Sequence, residues 1–259
     1  MIKNYKENFA KLKIAGKVAA ETLDAVTPYV KPGVSTSKLD NICYEFIKDN
    51  GAYSAPLFYR GYPKSCCTSV NHVICHGIPG NKILKEGDII NIDVTAIVNE
   101  WHGDTSRMFY VGDVPVKSKN LIRTTYECMM KGISVIKNGA YVGDIGEMIQ
   151  SYAEKEGFSV VRDFCGHGIG KIFHEAPNIL HYGKKGEGIK LETGMVFTVE
   201  PMINEGKYYS KLLNDGWTAV TKDKSLSAQF EHTVGVTNNG YEIFTKSNNN
   251  YQQPPYSIW

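Results

Sequence analysis

The most constraining feature of this sequence is an order of elements that occurs twice. Two helix patterns followed by strand patterns begin near residue 4, and the same order begins again near Ser118. With an offset of 106 residues, the apolar positions of the second helix in each half coincide, as do the following glycines, Gly51 and Gly157. The aligned pairs are Leu39 with Ile145, Ile42 with Met148, Cys43 with Ile149 and Phe46 with Tyr152. A repeated unit of this kind indicates a structure with two related halves.

Any two amphipathic helices that end in glycine can be aligned in this way, so one matched pair leaves chance open. Strand patterns, however, follow both copies, which favours a true repeat. These patterns cover residues 89–98, 101–111, 159–161, 195–202 and 228–236. We therefore expect an α+β fold with pseudo-twofold related halves and a central antiparallel sheet.

Local signals predict the helix ends in the first half. An amphipathic helix over residues 4–26 is expected to stop before Pro28, since proline cannot continue it. Ser37 with Asp40 resembles a capping box that would start the second helix. Gly51 would then end that helix.

The chain is expected to form a single catalytic domain over residues 1–259. No Gly-, Ser- or Pro-rich linker separates the halves, which are predicted at about 1–115 and 116–246, and a polar tail follows over 247–259. The formal net charge of +2 is too small to indicate a nucleic-acid partner. No apolar stretch is long enough for a membrane span or a signal peptide, so we predict a cytoplasmic protein without a membrane partner. The six scattered cysteines are interpreted as free thiols.

Two aspartates in the first half suggest a cation site. Asp93 lies among β-branched residues of a strand pattern, and Asp104 lies just beyond a short turn. If the hairpin turns at residues 98–99, these two carboxylates face each other on neighbouring strands, about 5 Å apart. Such a pair needs a shared proton or a cation, and we favour a cation.

Three further segments offer ligands of the same kind. His167 lies between glycines that leave it unhindered, and Glu200 and Glu231 are single carboxylates in nearly continuous apolar strands. A buried, unpaired glutamate is costly, so each of these positions requires a cation, a proton or an arginine. Four carboxylates and one imidazole match a pair of hard or borderline divalent ions better than one thiolate-bound zinc.

Seven segments, covering nearly the whole chain, resemble in order and spacing the motifs of the type I methionine aminopeptidases. They are residues 71–79 (NHVICHGIP), 91–94 (NIDV), 102–106 (HGDTS), 166–170 (GHGIG), 173–177 (FHEAP), 198–202 (TVEPM) and 230–233 (FEHT). The resemblance implies the pita-bread fold of creatinases and aminopeptidases. This fold is pseudo-twofold, in agreement with the repeat.

The resemblance also implies a function and a site. The family removes the N-terminal, initiator methionine of nascent proteins when the second residue is small, using two divalent metal ions (Co, Mn, Fe, Zn or Ni). Asp93 and Glu231 are expected to bridge the two ions, with Asp104 completing one shell and His167 and Glu200 the other. The catalytic residues would be His76, His174 and Glu200, the last of which would also move a proton.

A substrate pocket is implied residue by residue. It would be formed by His76 and His174 together with aromatic rings and one thiol, a lining that accepts an unbranched thioether. The remaining pocket residues are Tyr59, Tyr62, Cys67, Phe173 and Trp217. Two positions depart from many relatives, because His72 replaces an acidic residue and Pro56 replaces a cysteine of the pocket.

Length separates the subtypes of the family. Type II members carry a helical insertion between the second active-site histidine and the next glutamate, and the 26 positions from His174 to Glu200 leave no room for it. The zinc-finger extension of longer eukaryotic type I proteins is also missing, so the chain is expected to be the compact bacterial form. Its predicted partners are nascent polypeptide N-termini, with the ribosome as a further candidate, and we expect a monomer.

Two alternative functions stay open at this point. A pita-bread protein without catalysis could serve as a binding module, but it would have no need to keep all five metal-compatible side chains. An X-Pro aminopeptidase or prolidase would share the fold, but usually carries an extra N-terminal domain.

Overall fold

A computed structural model describes residues 4–256 of the chain. It contains four long helices, α1 to α4, two short 3-10 helices and fifteen strands, β1 to β15, within those residues. The helices are α1 Tyr5–Val26, α2 Thr36–Asp49, α3 Val116–Ser134 and α4 Val142–Lys155, and the 3-10 helices are Thr27–Tyr29 and Tyr59–Gly61. The strands are β1 Tyr53–Ser54, β2 Cys67–Val70, β3 Val73–Cys75, β4 Ile89–Val98, β5 Trp101–Tyr110, β6 Ser159–Val160, β7 Gly166–Gly168, β8 Glu175–Ile179, β9 Val196–Val199, β10 Met202–Asn204, β11 Ser210–Leu212, β12 Ala219–Thr221, β13 Ser227–Gln229, β14 Glu231–Thr237 and β15 Gly240–Ile243.

The helix repeat predicted from the sequence is present. Helices α2 and α4 each have 14 residues, and both their first and last residues lie 106 positions apart. The last turn of each helix is followed by a glycine with positive φ, which is 68° at Gly51 and 84° at Gly157. The two halves therefore place their second helices in register along the chain.

The cap predicted for α2 is wrong. The N-cap is Ser35, whose side chain accepts a hydrogen bond from the backbone N–H of Lys38 at 3.2 Å. Asp40 is instead buried and accepts hydrogen bonds from the backbone and hydroxyl of Ser65, at 2.9 and 2.6 Å. Ser35 and Ser37 are equally good caps by residue type, and the tertiary contact of Asp40 decides between them.

The central sheet is antiparallel and spans both halves. Its strands run in the order β1-β4-β5-β14-β9-β7-β8, with β2 pairing to β4 and β15 pairing to β14. The halves meet where β5 pairs with β14, so that β4 and β9 flank this junction on opposite sides. Two three-stranded sheets, β13-β10-β6 and β11-β12-β3, complete the fold. These features are those of the pita-bread architecture.

The β4–β5 hairpin has a different register from the one predicted. Its two turn residues are Asn99 and Glu100, both with positive φ (46° and 71°), as a type I′ turn requires. Asp93 consequently pairs with Ser106, and Asp104 pairs with Thr95, so the two aspartates are not directly opposed. The error is two residues, an even shift that leaves every side chain on its expected face. Asp93 and Asp104 are therefore diagonal neighbours on one face of the sheet.

The apolar core is divided between the halves. One cluster of buried side chains lies between α3, α4 and the second-half strands, and another lies between α1, α2 and the β4–β5 hairpin. Helix α1 approaches β5 closely, because a Cβ on Gly103 would lie 2.3 Å from the backbone nitrogen of Gly16. Glycine at position 103 thus allows the helix to pack directly onto the strand.

Part of the polar tail packs on the body of the protein. The Ser247 hydroxyl donates to the Asp24 carboxylate at 2.8 Å, and the Tyr256 hydroxyl donates to the Met108 carbonyl at 2.8 Å. Residues 257–259 of the predicted tail lie outside the described residues. The six cysteines are free, as expected. Within residues 4–256, no helix has both the length and the apolar character needed to cross a bilayer.

Candidate active site

One cavity collects every site residue predicted from the sequence. It has a volume of about 330 Å³ and opens where strands of both halves meet. Its lining consists of Pro56, Tyr59, Arg60, Tyr62, Cys67, Cys75, His76, Asp93, Thr95, Asp104, Phe164, Cys165, His167, Phe173, His174, Glu200, Met202, Trp217 and Glu231. The departing residue Pro56 belongs to this lining, whereas His72 is exposed and lies outside it.

Strand pairing brings the predicted metal ligands together. Asp93 on β4 and Glu231 on β14 both pair with Ser106 of the intervening strand β5, so the three residues form one row across the sheet. Side chains in such a row point to the same face. Asp104 lies on the same face two residues before Ser106. The junction between the halves thus directs three carboxylates into the cavity.

The second half adds an imidazole and a fourth carboxylate. His167 Nε2 lies 3.6 Å from an oxygen of Asp104 and 3.7 Å from an oxygen of Glu200. Ligand atoms of Asp104, His167 and Glu231 all lie within 4.8 Å of one another. These separations suit side chains that share a cation rather than side chains that hydrogen-bond directly.

The pKa values of the donor residues support the same conclusion. Burial, reinforced by the other carboxylates, raises the pKa of Asp93 and of Glu231 well above their ordinary values. Burial also raises the pKa of Glu200 to about 7. Among the described residues, no Lys or Arg forms an ion pair with these carboxylates or with Asp104. A site so rich in buried oxygen donors, with one imidazole, fits divalent metal ions.

Neighbouring polar side chains hold the ligands in place. The Thr198 hydroxyl donates to Glu200 at 2.7 Å and accepts from the backbone N–H of His167 at 3.0 Å, so it links two ligands. The Thr95 hydroxyl donates to Asp104 at 2.7 Å. The Gln229 amide donates to the second Glu200 oxygen at 3.2 Å. The sequence analysis missed these residues, although Thr198 precedes Glu200 by two positions and therefore shares its strand face.

Two further histidines line the cavity without joining the carboxylate cluster. The ring of His174 lies 4.2 Å from that of His167 and stacks on Tyr59 at 5.1 Å. His76 has a positive φ of 56°, and its ring meets Phe164 edge-on at 5.6 Å. Burial lowers the pKa of His76, and burial together with the nearby His167 lowers the pKa of His174 to about 4. Both imidazoles are therefore neutral at pH 7 and can donate a hydrogen bond.

The apolar end of the cavity contains the predicted pocket. The Tyr62 and Trp217 rings meet edge-on at 5.1 Å, and the Tyr59 and Phe173 rings lie 4.9 Å apart. Cys67 is paired with Asp93 across strands β2 and β4, which places a thiol beside the carboxylates. The cavity thus presents rings and a thiol at one end and ligands at the other.

Comparisons with known proteins assign the chain to a family. The sequence model of metallopeptidase family M24 matches residues 10–238. The methionine aminopeptidase of Rickettsia prowazekii (strain Madrid E) is 60% identical over 253 residues, which cover 96% of this chain and 97% of the relative. The chain belongs to the methionine aminopeptidases of family M24. The methionine aminopeptidase of Escherichia coli (strain K12) is 52% identical and covers 92% of this chain and 91% of its own length.

Solved structures of family members have the same fold. The methionine aminopeptidase structure from Rickettsia prowazekii superposes with a TM-score of 0.92 at 61% identity, and that from Thermotoga maritima with 0.91 at 40% identity. Each comparison covers 93% of this chain and 97% of the other. The prolidase of Pyrococcus furiosus reaches 0.76 at 22% identity, and only 65% of its chain is covered, so it shares the fold alone. The predicted pita-bread fold and the methionine aminopeptidase resemblance are thereby confirmed.

Proposed function

We propose that this chain removes the N-terminal methionine of polypeptides whose second residue is small, using two divalent metal ions. The observation that carries the proposal is the single cavity, which joins a buried Asp, Glu and His cluster to an aromatic pocket ending in a thiol. Two methionine aminopeptidases are more than 50% identical to this chain, and the matched residues cover more than nine tenths of each relative. These identities, set against 22% for the prolidase, argue against a prolidase. The intact ligand set argues against a binding module.

The metal ions would be held by the five predicted ligands. Asp104, His167 and Glu231, whose ligand atoms lie within 4.8 Å of one another, would hold one ion together, with Glu200 beside His167 and Asp93 in the same row as Glu231 across β5. Bound divalent ions would polarise the scissile carbonyl and activate water for its attack. The donor set admits Co, Mn, Fe, Zn or Ni, and availability in the cell would choose among them.

The protein's own groups would complete the reaction. Glu200, which lies in the cavity lining beside His167, would take up and release a proton during the reaction. Neutral His174, whose ring lies 4.2 Å from that of His167, would donate to the carbonyl oxygen as negative charge develops on it. His76 lines the same cavity and would contact the backbone on the other side of the scissile bond.

The pocket explains the choice of methionine. Tyr59, Tyr62, Cys67, Phe173 and Trp217 offer a polarisable apolar surface to a thioether, and the limited volume excludes longer or charged side chains. The second substrate residue must pass close to the ligand wall, where a large side chain would collide. We therefore infer that Met-Ala and Met-Gly substrates are cleaved and Met-Lys substrates are spared.

Peptide hydrolysis with and without a chelator tests the proposal. The metal-loaded protein should cleave the methionine from Met-Ala-Ser, and the chelated protein should not. Met-Lys-Ser and Ala-Pro-Ser should stay intact with both. Asp104→Ala should load less metal and lose activity together. Cleavage of Ala-Pro-Ser would favour the X-Pro alternative, and no cleavage by protein shown to hold metal would favour a binding module. An Asp104→Ala protein that binds two ions and turns over normally would contradict the ligand assignment.

The cellular setting remains a prediction from the sequence. Nascent polypeptide N-termini are the expected substrates, and the ribosome is a candidate partner because it presents them. A monomeric, cytoplasmic protein would meet those substrates directly. Sedimentation with ribosomes and analytical ultracentrifugation of the purified chain would test these two points separately.

A further inference from the structure

The mouth of the cavity carries one positive charge that the proposed reaction does not use. Arg60 is the only Lys or Arg in the cavity lining, among the described residues, and its side chain is exposed. No described residue forms an ion pair or hydrogen bond with its guanidinium, which lies 5.3 Å from the centre of the Tyr59 ring. The charge is thus available to a ligand.

The fold holds this charge at a defined place. Arg60 adopts a left-handed backbone conformation, with φ at 49°, between Phe58 at 67° and Gly61 at 85°. Such angles are uncommon for residues other than glycine and persist where the surrounding structure imposes them. The guanidinium lies over the ring of Tyr59, which itself stacks on His174.

This stack of side chains sets the distance from the reaction centre. The His174 ring lies 5.1 Å from the Tyr59 ring, and the Tyr59 ring lies 5.3 Å from the Arg60 guanidinium carbon. The guanidinium is therefore no more than about 10 Å from His174, the group proposed to bind the scissile carbonyl. An extended peptide advances about 3.3 Å per residue, so about 10 Å covers three residues after the cleaved bond. Residue 2 must be small, which leaves residues 3 and 4 of the substrate within reach.

The guanidinium is the charge that remains at the mouth of the cavity once the metal ions are bound. Two divalent ions would neutralise the four carboxylates at the base, and Arg60 is then the cation that a substrate meets further along the cavity. A charge of this kind discriminates between partners more than it raises affinity overall.

We propose that Arg60 forms an anion subsite that favours substrates with Asp or Glu at residue 3 or 4 and disfavours Lys or Arg there. The subsite rests on the proposed aminopeptidase function, because it selects among peptides that the same cavity cleaves. Arg60 acts here as a specificity residue and takes no part in bond cleavage.

Three amidated peptides test the subsite: Met-Ala-Glu-Glu-Ser, Met-Ala-Gln-Gln-Ser and Met-Ala-Lys-Lys-Ser. Amidation removes the terminal carboxylate, which could otherwise bind Arg60 itself. In the wild-type, metal-loaded protein we expect kcat/KM to fall from the Glu to the Lys peptide by about three- to tenfold at low salt, and by less at high salt. Arg60→Gln should bring the three peptides within about twofold of one another, and Arg60→Glu should invert their order.

A matched control changes the same charge elsewhere. Lys155 lies at the exposed end of α4, a helix that contributes no residue to the cavity lining. Lys155→Glu should therefore keep the wild-type order of kcat/KM among the three peptides. Equal Tm and equal metal content in all four proteins would show that each is folded and loaded. An unchanged order in Arg60→Glu, or an inverted order in Lys155→Glu, would overturn the subsite while leaving the aminopeptidase intact. Failure of the wild-type protein to cleave even the Gln peptide would instead overturn the proposed function.

Discussion

The side chain of His181 supports the backbone of Glu200. Its Nε2 accepts a hydrogen bond from the Glu200 N–H at 3.1 Å, just where β9 ends and Pro201 interrupts the strand. His181 is fully buried, and burial lowers its pKa to about 3, so the ring stays neutral. Because Nε2 accepts, the proton must lie on Nδ1, which finds no partner among the described residues. An unpartnered buried donor is costly, and the contact to Glu200 gives a reason for histidine here.

Replacing His181 is predicted to disturb Glu200 more than the fold. His181→Leu keeps the packing but leaves the Glu200 N–H without an acceptor, which should cost about 1–3 kcal/mol of stability and weaken metal binding. His181→Gln, whose amide oxygen can accept in place of Nε2, should recover part of the metal affinity. Isothermal titration with Mn²⁺ and kcat measured at saturating metal check this. Ile179→Val, a buried change on β8, serves as the control and should lower stability without altering metal affinity. Equal metal affinity in His181→Leu and wild type would show that the histidine only fills space.

Thr198 offers a second test of ligand positioning. Its hydroxyl contacts both His167 and Glu200, so Thr198→Val removes two hydrogen bonds while preserving the side-chain shape. Changes to groups that orient ligands typically reduce metal affinity by about 10- to 100-fold, and we expect a loss in that range. Thr198→Ser should restore most of the affinity. Thr124→Val provides the control, since that buried threonine lies on α3 outside the cavity. A Thr198→Val protein with unchanged metal affinity would contradict this role.

Features that depend on neighbouring residues could be predicted from the sequence, and contacts between residues far apart in the chain could not. Apolar periodicity located α2 and α4, because the spacing of apolar residues within each helix shows which face is buried. The β4–β5 register was displaced by two residues, since the choice between residues 98–99 and Asn99–Glu100 as the turn depends on backbone angles that composition does not determine. Residue patterns supplied the five predicted metal ligands, and resemblance to a family supplied the pocket residues and the two catalytic histidines.

The supporting contacts could not be read from the sequence for a different reason. His181 reaches Glu200 across nineteen positions, and Gln229 reaches it across twenty-nine, so neither contact leaves a local pattern. Only the Thr198 contact lies within one strand. Arg60 could not be singled out from the sequence because it lies in none of the seven motif segments. Its position over the Tyr59 ring is seen only in the folded structure.

Metal removal should make stability depend on pH in a defined direction. The folded-state pKa values of Asp93, Glu200 and Glu231 are raised above their ordinary values, that of Glu200 to about 7, so at these three sites the metal-free folded protein binds more protons than the unfolded chain. Their contribution to the free energy of unfolding should therefore decrease as pH rises from about 4.5 to 7. Buried histidines with lowered pKa values act in the opposite direction, so the comparison is with Glu231→Gln: over this range the slope of stability against pH should be more negative in the wild-type apoprotein than in the variant.

Added metal should reverse this trend, because metal binding requires the deprotonated carboxylates. The rise in Tm on adding Mn²⁺ is thus expected to grow between pH 5.5 and 7.5. Thermal melts of apoprotein and metal-loaded protein across this range provide the measurement. Asp104→Ala, which lacks a ligand, should show a smaller rise at each pH. Equal slopes in the wild-type and Glu231→Gln apoproteins, or a rise in Tm on adding Mn²⁺ that did not grow with pH, would contradict the buried carboxylate cluster.

The methionine pocket is predicted to depend on Trp217. Its ring meets Tyr62 edge-on at 5.1 Å and approaches His76 at 6.2 Å, so it forms a wall between the apolar end and the reacting end of the cavity. Trp217→Ala should open that wall, lower kcat/KM for Met-Ala-Ser by about 10-fold or more, and reduce the preference for methionine over leucine, since an enlarged pocket no longer discriminates by shape. Tyr53→Ala removes an aromatic ring that is 76% exposed and lies outside the cavity lining, and should leave the preference unchanged. Competition between Met-Ala-Ser and Leu-Ala-Ser in one reaction gives the ratio directly. Metal content measured on the same samples shows whether a lower rate comes from lost metal or from the altered pocket. A Trp217→Ala protein with full metal and an unchanged methionine-to-leucine ratio would place the specificity elsewhere in the cavity. The ligand assignment would not be affected by that result.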